Sequence, residues 1–340
     1  MARQWSGRLG KVDNCQVAVF AALAQGSSST LIDTRLYLPK QWVQDRKRCL
    51  AAGVPASEVV LKSKADLAFE RVVHARHSGV RFSWVGVDGG YGKDPSLLRR
   101  LEDHGEVFVA EVHRDQQIYL EDPAPCIPEK RTSRGKTPTR LEAHSAGQRV
   151  DTWVQAQPSE LWQTVVVRPG SKGELRVEVL HHRVWLWDGN EQKARFWHLV
   201  ATREVGSSDK VKYALSNASA EISWERLVQM QRQRFWIERS FEDGKSESGL
   251  ADYQVRGWRA WHHHMALVMM AMLFMLEEKL SHKESHPLLS CSDIEVLLAH
   301  FLPRRDVTVE EVVRQMEARH AARQKAIESA YRRQQLADSR

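Results

Sequence analysis

Short apolar runs separated by turn residues fill the first third of the chain. Residues 15–26 and 29–39 carry two such runs joined by a Gly/Ser-rich turn, which predicts an antiparallel hairpin. Residues 57–78 follow a capping signal and place apolar side chains at helical spacing, so they predict a helix. Residues 82–87 and 106–113 are apolar runs of strand length, and they predict two buried strands.

The pattern changes in the middle of the chain. Residues 121–140 are rich in proline and basic side chains, and they predict a loop. Four strand-like segments separated by turn residues follow between residues 162 and 217. Helical periodicity returns at Ser223 and continues to about Leu302. The longest apolar run, residues 265–276, is shorter than the roughly 18 residues that cross a bilayer, so it predicts a buried helix.

Composition narrows the possible partners and the cellular location of the protein without identifying a function. The chain has 50 Lys and Arg residues against 43 Asp and Glu residues, a balance that permits nucleic-acid binding but does not demonstrate it. Four separated cysteines form no CxxC pair, so neither a disulfide framework nor a structural zinc site is indicated. The N-terminus lacks the apolar core of a signal peptide, and we expect a cytoplasmic protein without a membrane segment.

The basic loop has two interpretations. It is either a solvated connection or a surface that contacts the DNA backbone, because clustered positive side chains bind phosphates. The candidate phosphate-binding residues are Lys130, Arg131, Arg134 and Lys136.

Two motifs carry candidate chemistry. Asp88 ends a predicted strand and is followed by Gly89 and Gly90, a position where open α/β sheets tend to place functional groups. Taken alone, Asp88 could also cap a turn. Glu238 and Lys245 lie on one face of a predicted helix, two turns or about 10 Å apart. That separation is too long for a direct salt bridge and suits a metal ion beside a phosphate.

These motifs resemble a known family. Arg234, Glu238 and Lys245, separated by three and six residues, resemble the C-terminal signature of DDE transposases from bacterial insertion sequences. The segment VGVDGGYGKD resembles the strand of that family that carries its second acid, and residues 232–264 are similar to one branch of it. The resemblance extends from about Arg3 to about Asp306.

The resemblance implies an α/β fold with a ribonuclease-H-like mixed sheet, a β-rich insertion and a helical C-terminal part. Residues 1–120 would form the first part of that domain, and residues 121–221 the basic loop and the insertion. Residues 222–303 would form the second part, which carries the glutamate, and residues 304–340 a charged tail. For the tail, a surface helix and a dimer contact both remain open.

The resemblance also implies a reaction. Asp88 and Glu238 would be catalytic ligands of Mg²⁺ or Mn²⁺, because hard cations bind carboxylates and two ions roughly 3.5 to 4 Å apart promote phosphodiester cleavage. Arg234 and Lys245 would hold the DNA backbone. The expected partner is double-stranded DNA, both transposon ends and target, bound by a homodimer associated with the bacterial nucleoid.

The chain departs from the family pattern in two places. Gln231 stands where the signature has a tyrosine, so that phosphate contact is not expected here. The first acid of the family lies on a central strand upstream of the segment that matches residues 2–20, so we expect this strand to be missing and the chain not to cleave DNA. Asp13, the nearest acid, is predicted to be a turn residue. The alternative function is a non-catalytic remnant that binds DNA or a transposase and inhibits transposition.

Other conspicuous side chains have a structural interpretation. Three consecutive histidines, His262, His263 and His264, point in different directions on a helix and do not predict a metal site. Three tryptophans in the β-rich segment, Trp185, Trp187 and Trp197, could stack on a flipped base, although strand packing is the simpler use. One helical face is predicted to enter the core: Trp258, Trp261, Met265, Val268, Met269 and Leu273.

Overall fold

The computed structural model describes residues 2–7, 9–129, 137–170, 173–207, 210–253, 256–303 and 308–338. The chain divides into two compact units, Met1–Cys291 and Ser292–Arg340. The basic residues predicted to contact DNA in the loop lie outside the described residues: Lys130, Arg131, Arg134 and Lys136.

The first unit begins with two β-hairpins. Strand β1 (Ala2–Ser6) pairs with β2 (Lys11–Cys15), and β3 (Ala18–Gln25) pairs with β4 (Ser28–Leu36), both antiparallel. The second hairpin confirms the prediction. Its turn contains Gly26 at a φ of 60°, a backbone conformation that glycine adopts without steric cost. Asp13 lies within β2, paired with Gln4, so its prediction as a turn residue was wrong.

Three helices follow the hairpins: α1 (Lys40–Val43), α2 (Arg46–Ala51) and α3 (Lys64–His77). Helix α3 begins seven residues after the predicted start at residue 57, so that part of the prediction was wrong. The reason is a capping box: the Ser63 hydroxyl accepts from Asp66 N at 3.0 Å, and the Asp66 carboxylate accepts from Ser63 N at 2.9 Å. The preceding apolar residues Val60 and Leu61 are exposed.

The main sheet begins with the two strands predicted around residues 85 and 110. Strand β5 (Val85–Val87) pairs in parallel with the later β6 (Phe108–Val112). Two helices connect them, α4 (Gly89–Gly92) and α5 (Pro95–Asp103). Leu97, Leu98 and Leu101 of α5 are buried in the core on one side of the sheet.

The β-rich segment extends the same sheet. A two-stranded ladder of β7 (Gln117–Ile118) and β8 (Gln148–Arg149) precedes α6 (Val150–Gln155). The four predicted strands then follow as β9 (Gln163–Gly170), β10 (Gly173–Leu186), β11 (Arg195–Glu204) and β12 (Lys212–Ser216). The strand order is β5-β6-β12-β11-β10-β9, antiparallel except between β5 and β6.

Four helices complete the chain: α7 (Trp224–Glu247), α8 (Trp258–Ser281), α9 (Cys291–Phe301) and α10 (Val309–Asp338). Ser223 caps α7 by accepting from Arg226 N, so the helix begins where the periodicity predicted. None of the described helices is long and apolar enough to cross a membrane.

Helix α8 is buried along one face. Trp258, Trp261, Met265 and Val268 are buried as predicted. Met272, rather than the predicted Leu273, continues this face, because positions three and four residues apart share one side of a helix. Leu273 is 47% exposed, so its assignment to the core face was wrong, and Leu267, Met270 and Phe274 of the apolar run are exposed as well.

Helix α7 links the second hairpin to the main sheet. It packs against β3 and β4 and against β5 and β6. In the part of the chain that the structure describes, β3 pairs only with β4 and β5 pairs only with β6. Contacts with α7 therefore hold the hairpin and the sheet edge together, and they bring its side chains to the end of β5.

Candidate active site

Asp88 follows the last residue of β5 and caps α4. Its Oδ1 accepts from Gly90 N at 2.9 Å and from Tyr91 N at 3.2 Å, so it does stabilise a turn. Its Oδ2 lies 3.9 Å from Arg234 Nη1, and the side chain is 46% exposed. One oxygen of the carboxylate is therefore fixed by the backbone, and the other faces α7.

Arg234 on α7 connects Asp88 to two further carboxylates. Its Nη2 donates to Glu238 Oε1 at 2.8 Å, one turn along the same helix. Its Nε lies 3.2 Å from Glu111 Oε2 on β6. The contact with Glu238 is a charge-assisted hydrogen bond, and the contacts with Glu111 and Asp88 are longer ion pairs. One guanidinium thus holds three carboxylates that come from the end of β5, from β6 and from α7.

Glu111 was not predicted as a site residue. The run from residue 106 to 113 predicted a buried strand, and a glutamate inside its apolar part was the only available signal. The Glu111 side chain is 18% exposed, and its second neighbour is Lys212, whose Nζ is 4.0 Å from Oε1. It is the least exposed of the three carboxylates.

The helix after Asp88 lies very close to β6. A Cβ atom on Gly92 would stand 1.9 Å from the backbone oxygen of Glu111, so only glycine fits there. Burial, followed by the negative charge of Asp88, raises the pKa of Tyr91 to about 12. Tyr91 is therefore neutral near pH 7 and adds no second negative charge beside Asp88.

The other residues of the signature lie along α7. Lys245 is exposed, with its Nζ 5.8 Å from the centroid of the Phe241 ring. The ion-pair partner of Glu238 is Arg234 rather than Lys245, in agreement with the long separation expected on the helix. Gln231 is 4% exposed and accepts from Thr202 Oγ1 at 3.2 Å, so it faces the sheet and not a bound phosphate.

The histidines and tryptophans mostly have structural contacts. His262 Nδ1 lies 2.9 Å from Trp258 O, and His264 Nε2 lies 2.9 Å from Gly249 O. These ring nitrogens donate to backbone oxygens, and the contacts anchor the helix. Trp197 is buried and donates from Nε1 to Glu102 at 2.7 Å.

The three carboxylates have the donor atoms that a divalent cation needs, but their side chains are not spaced as metal ligands. Asp88, Glu111 and Glu238 offer the oxygen donors that Mg²⁺ and Mn²⁺ prefer. In the part of the chain that the structure describes, no three His, Cys, Asp or Glu side chains are grouped closely enough to hold a metal ion. The positive charge between the carboxylates belongs to Arg234.

Comparison with known families assigns the chain to a superfamily. Residues 1–174, just over half of its length, match the family model described as DDE superfamily endonuclease. The chain belongs to this superfamily, as the resemblance predicted. Its mixed sheet followed by C-terminal helices is consistent with the ribonuclease-H-like fold, and an endonuclease of this class acts on DNA. No curated protein matches the chain. The matched segment includes Asp88 and Glu111, whereas Arg234 and Glu238 lie beyond it.

Proposed function

We propose that this protein is the transposase of a bacterial insertion element, which cleaves transposon ends and joins them to target DNA. The observation that carries the proposal is the meeting of Asp88 and Glu238 at Arg234. These residues come from a strand end and from a helix far along the chain, and they are the acids and the arginine of the signature. Membership of the endonuclease superfamily supports the same assignment.

Each side chain has a role in this proposal. Asp88 and Glu238 would hold Mg²⁺ or Mn²⁺, which when bound activates a water or 3′-hydroxyl and neutralises the leaving oxygen. Asp88 is positioned by two backbone N–H groups, so its free oxygen needs little reorganisation. Arg234 balances the carboxylates before DNA binds, and its planar guanidinium can then contact a phosphate in bidentate fashion. Lys245, exposed two turns along α7 from Glu238, would contact a neighbouring phosphate.

The proposed substrate surface extends beyond the acids. The net charge of +7 favours association with DNA. We assign phosphate contacts in the basic loop to Lys130, Arg131, Arg134 and Lys136, which the sequence analysis predicted. Transposition joins two ends, and we expect a homodimer on the DNA.

One observation favours the alternative function, a non-catalytic protein that binds DNA or a transposase and inhibits transposition. The described residues contain no group of three metal ligands, and Arg234 already neutralises the acids that are present. A chain with this arrangement would bind DNA through its basic side chains without cutting it.

Cleavage assays separate the two functions. The substrate is a supercoiled plasmid that carries the DNA flanking the gene, incubated with Mg²⁺ or Mn²⁺. The protein is the 340-residue chain. The proposed function predicts nicking at the ends of the element, and the alternative predicts DNA binding without nicking. Asp88→Asn or Glu238→Gln should abolish nicking and preserve DNA binding.

The matched control is Glu242→Gln, which changes an exposed carboxylate on the same helix that pairs with Arg239. This variant should retain nicking. DNA binding without nicking by the wild-type chain would favour the inhibitory alternative.

A further inference from the structure

A thiol and an imidazole form a pair that is not part of the candidate active site. Cys126 Sγ lies 3.0 Å from His144 Nε2, and both side chains are exposed to solvent. A cysteine at hydrogen-bond distance from an imidazole has the arrangement of a nucleophile and its base, because the ring can take the thiol proton and leave the reactive thiolate. The pair therefore has the composition of a reactive site.

The backbone positions the two side chains next to each other. Cys126 N donates to Glu142 O at 3.1 Å, and Glu142 N donates to Cys126 O at 2.9 Å, which forms an antiparallel bridge. Two residues further on, His144 N donates to Pro123 O at 2.8 Å. Side chains two residues apart in extended chain point to the same side, so His144 is the diagonal neighbour of Cys126 across the bridge. The contact thus follows from the backbone, and little ordering is needed when a reactant arrives.

The other cysteines have no imidazole neighbour among the described residues. Burial raises the pKa of the Cys49 thiol and of the Cys291 thiol, which disfavours the thiolate at both positions. Cys15 Sγ lies 3.7 Å from the backbone oxygen of Gln4, a group that does not take up a proton near neutral pH. Cys126 differs from all three, because it is exposed and contacts a base.

We propose that Cys126 is a redox-modification site, at which hydrogen peroxide oxidises the thiol that His144 activates. His144 Nε2 accepts the proton of Cys126, and the thiolate sulfur attacks one oxygen of the peroxide. A sulfur–oxygen bond forms as the oxygen–oxygen bond breaks, and the leaving hydroxide takes the proton from the imidazolium to become water. Sulfur is oxidised, the peroxide is reduced, and the product is a sulfenic acid. The site uses no residue of the candidate active site, so it stands whether or not the protein cleaves DNA.

The first test locates the product, with hydrogen peroxide as the probe. The full chain with reduced thiols is exposed to peroxide, the sulfenic acid is trapped with dimedone, and peptide mass spectrometry measures the label at each cysteine. We expect Cys126 to carry about tenfold more label than any other cysteine, because the thiolate and not the thiol is the nucleophile. Dithiothreitol added before dimedone should remove the signal, since a thiol condenses with a sulfenic acid.

Two variants control this measurement. Cys126→Ser should abolish the dominant label. Cys15→Ser removes a partly buried thiol without an imidazole and should leave the label at Cys126 in place. Label spread evenly over the four cysteines, or concentrated on a cysteine other than Cys126, would overturn the proposal.

The second test examines His144 as the base. His144→Gln keeps a polar side chain but cannot take up the thiol proton, so we expect the rate of oxidation of Cys126 to fall about tenfold. The ultraviolet absorbance of the thiolate at neutral pH, measured as the difference from Cys126→Ser, should fall with it. A histidine that only packed against the thiol would leave this absorbance unchanged.

The matched control is His263→Gln, which changes an exposed histidine on α8 and should preserve both the rate and the absorbance. Far-UV circular dichroism checks that each variant keeps its fold. An unchanged rate in His144→Gln, or a slower rate without loss of thiolate absorbance, would overturn the role of His144 and with it the proposed site.

Discussion

Arg234 Nη2 lies 2.8 Å from Glu238 Oε1, one turn further along α7. The same guanidinium lies 3.9 Å from Asp88 and 3.2 Å from Glu111. A positive charge at this point stabilises the three carboxylates as a divalent ion would. The protein can therefore fold with its acids together before any ion is bound, and Arg234 and an ion compete for the same oxygens.

Removing this charge should strengthen ion binding. We expect Arg234→Gln to lower the dissociation constant for Mn²⁺ about tenfold, since one unit charge at about 4 Å is worth roughly 1 to 4 kcal/mol near a protein surface. Isothermal titration calorimetry measures the change. Arg226→Gln is the control, because Arg226 on the first turn of α7 hydrogen-bonds to Gln229 and to no carboxylate of the site. Unchanged or weaker Mn²⁺ binding by Arg234→Gln would mean that Arg234 supports the ion rather than competing with it.

The close approach of α4 to β6 gives a second prediction. Gly92→Ala would place a Cβ atom 1.9 Å from the backbone oxygen of Glu111, which cannot move without distorting the strand. We expect a loss of about 2 to 3 kcal/mol in the free energy of unfolding. Urea denaturation measures it, with Gly86→Ala as the control because a Cβ there meets nothing within 4 Å. Equal stability of the two variants would show that α4 can move away from β6.

Regular patterns made much of the fold predictable. Strands β3 and β4 and the strands of the main sheet have the apolar runs and turn residues that define strands locally. The start of α3 was missed because Val60 and Leu61 continue the helical spacing, although the capping pair Ser63 and Asp66 stood in the sequence. The partial exposure of α8 was not predictable, because an almost wholly apolar helix does not show which face its neighbours cover.

Only those residues of the candidate site that belong to a sequence motif could be predicted. Asp88 and Glu238 stand in recognisable motifs, and the structure brings them to one guanidinium. Glu111 has no motif, and its place depends on the parallel pairing of β5 with β6 and on the packing of α7. Such a contact between distant segments leaves no local trace in the sequence.

A pair of histidines on β10 and β11, His181 and the buried His198, makes stability depend on pH. His181 Nε2 lies 2.9 Å from His198 Nδ1, and burial, followed by the nearby His198, lowers the pKa of His181 to about 4. In the unfolded chain this histidine binds a proton near pH 6.5. The unfolded state therefore holds more protons between these values, and the free energy of unfolding should fall as pH is lowered from about 6.5 to about 4.

Urea denaturation across this pH range measures the effect. His181→Gln should reduce the loss of stability on acidification, because the replaced side chain no longer titrates. His263→Gln, a change at an exposed histidine on α8, should leave the wild-type pH dependence in place. A pH dependence of His181→Gln as steep as that of the wild type would assign the effect to other groups.

A buried ion pair ties α3 to the loop before β6. Glu106 is 4% exposed and accepts from Arg76 Nε at 2.9 Å and from Nη2 at 2.8 Å. We expect Glu106→Gln to cost about 2 kcal/mol of the free energy of unfolding, because it leaves a guanidinium without its charged partner. Glu174→Gln is the matched control, since its pair with Arg176 is exposed and should contribute less than about 0.5 kcal/mol. Similar losses in both variants would place the Glu106 pair among ordinary surface contacts.

The basic loop is the last part of the proposed function to test. Each phosphate contact releases condensed counterions, so the slope of log affinity against log salt falls by about 0.9 per contact on duplex DNA. Changing all four basic residues of the loop to glutamine should therefore reduce the slope by about 3 to 4 and weaken binding to every duplex alike. Lys283→Gln, at an exposed position after α8, should leave the slope unchanged. An unaltered slope in the quadruple variant would make the loop a solvated connection, because a side chain that touches no phosphate releases no counterion. The residues changed are Lys130, Arg131, Arg134 and Lys136.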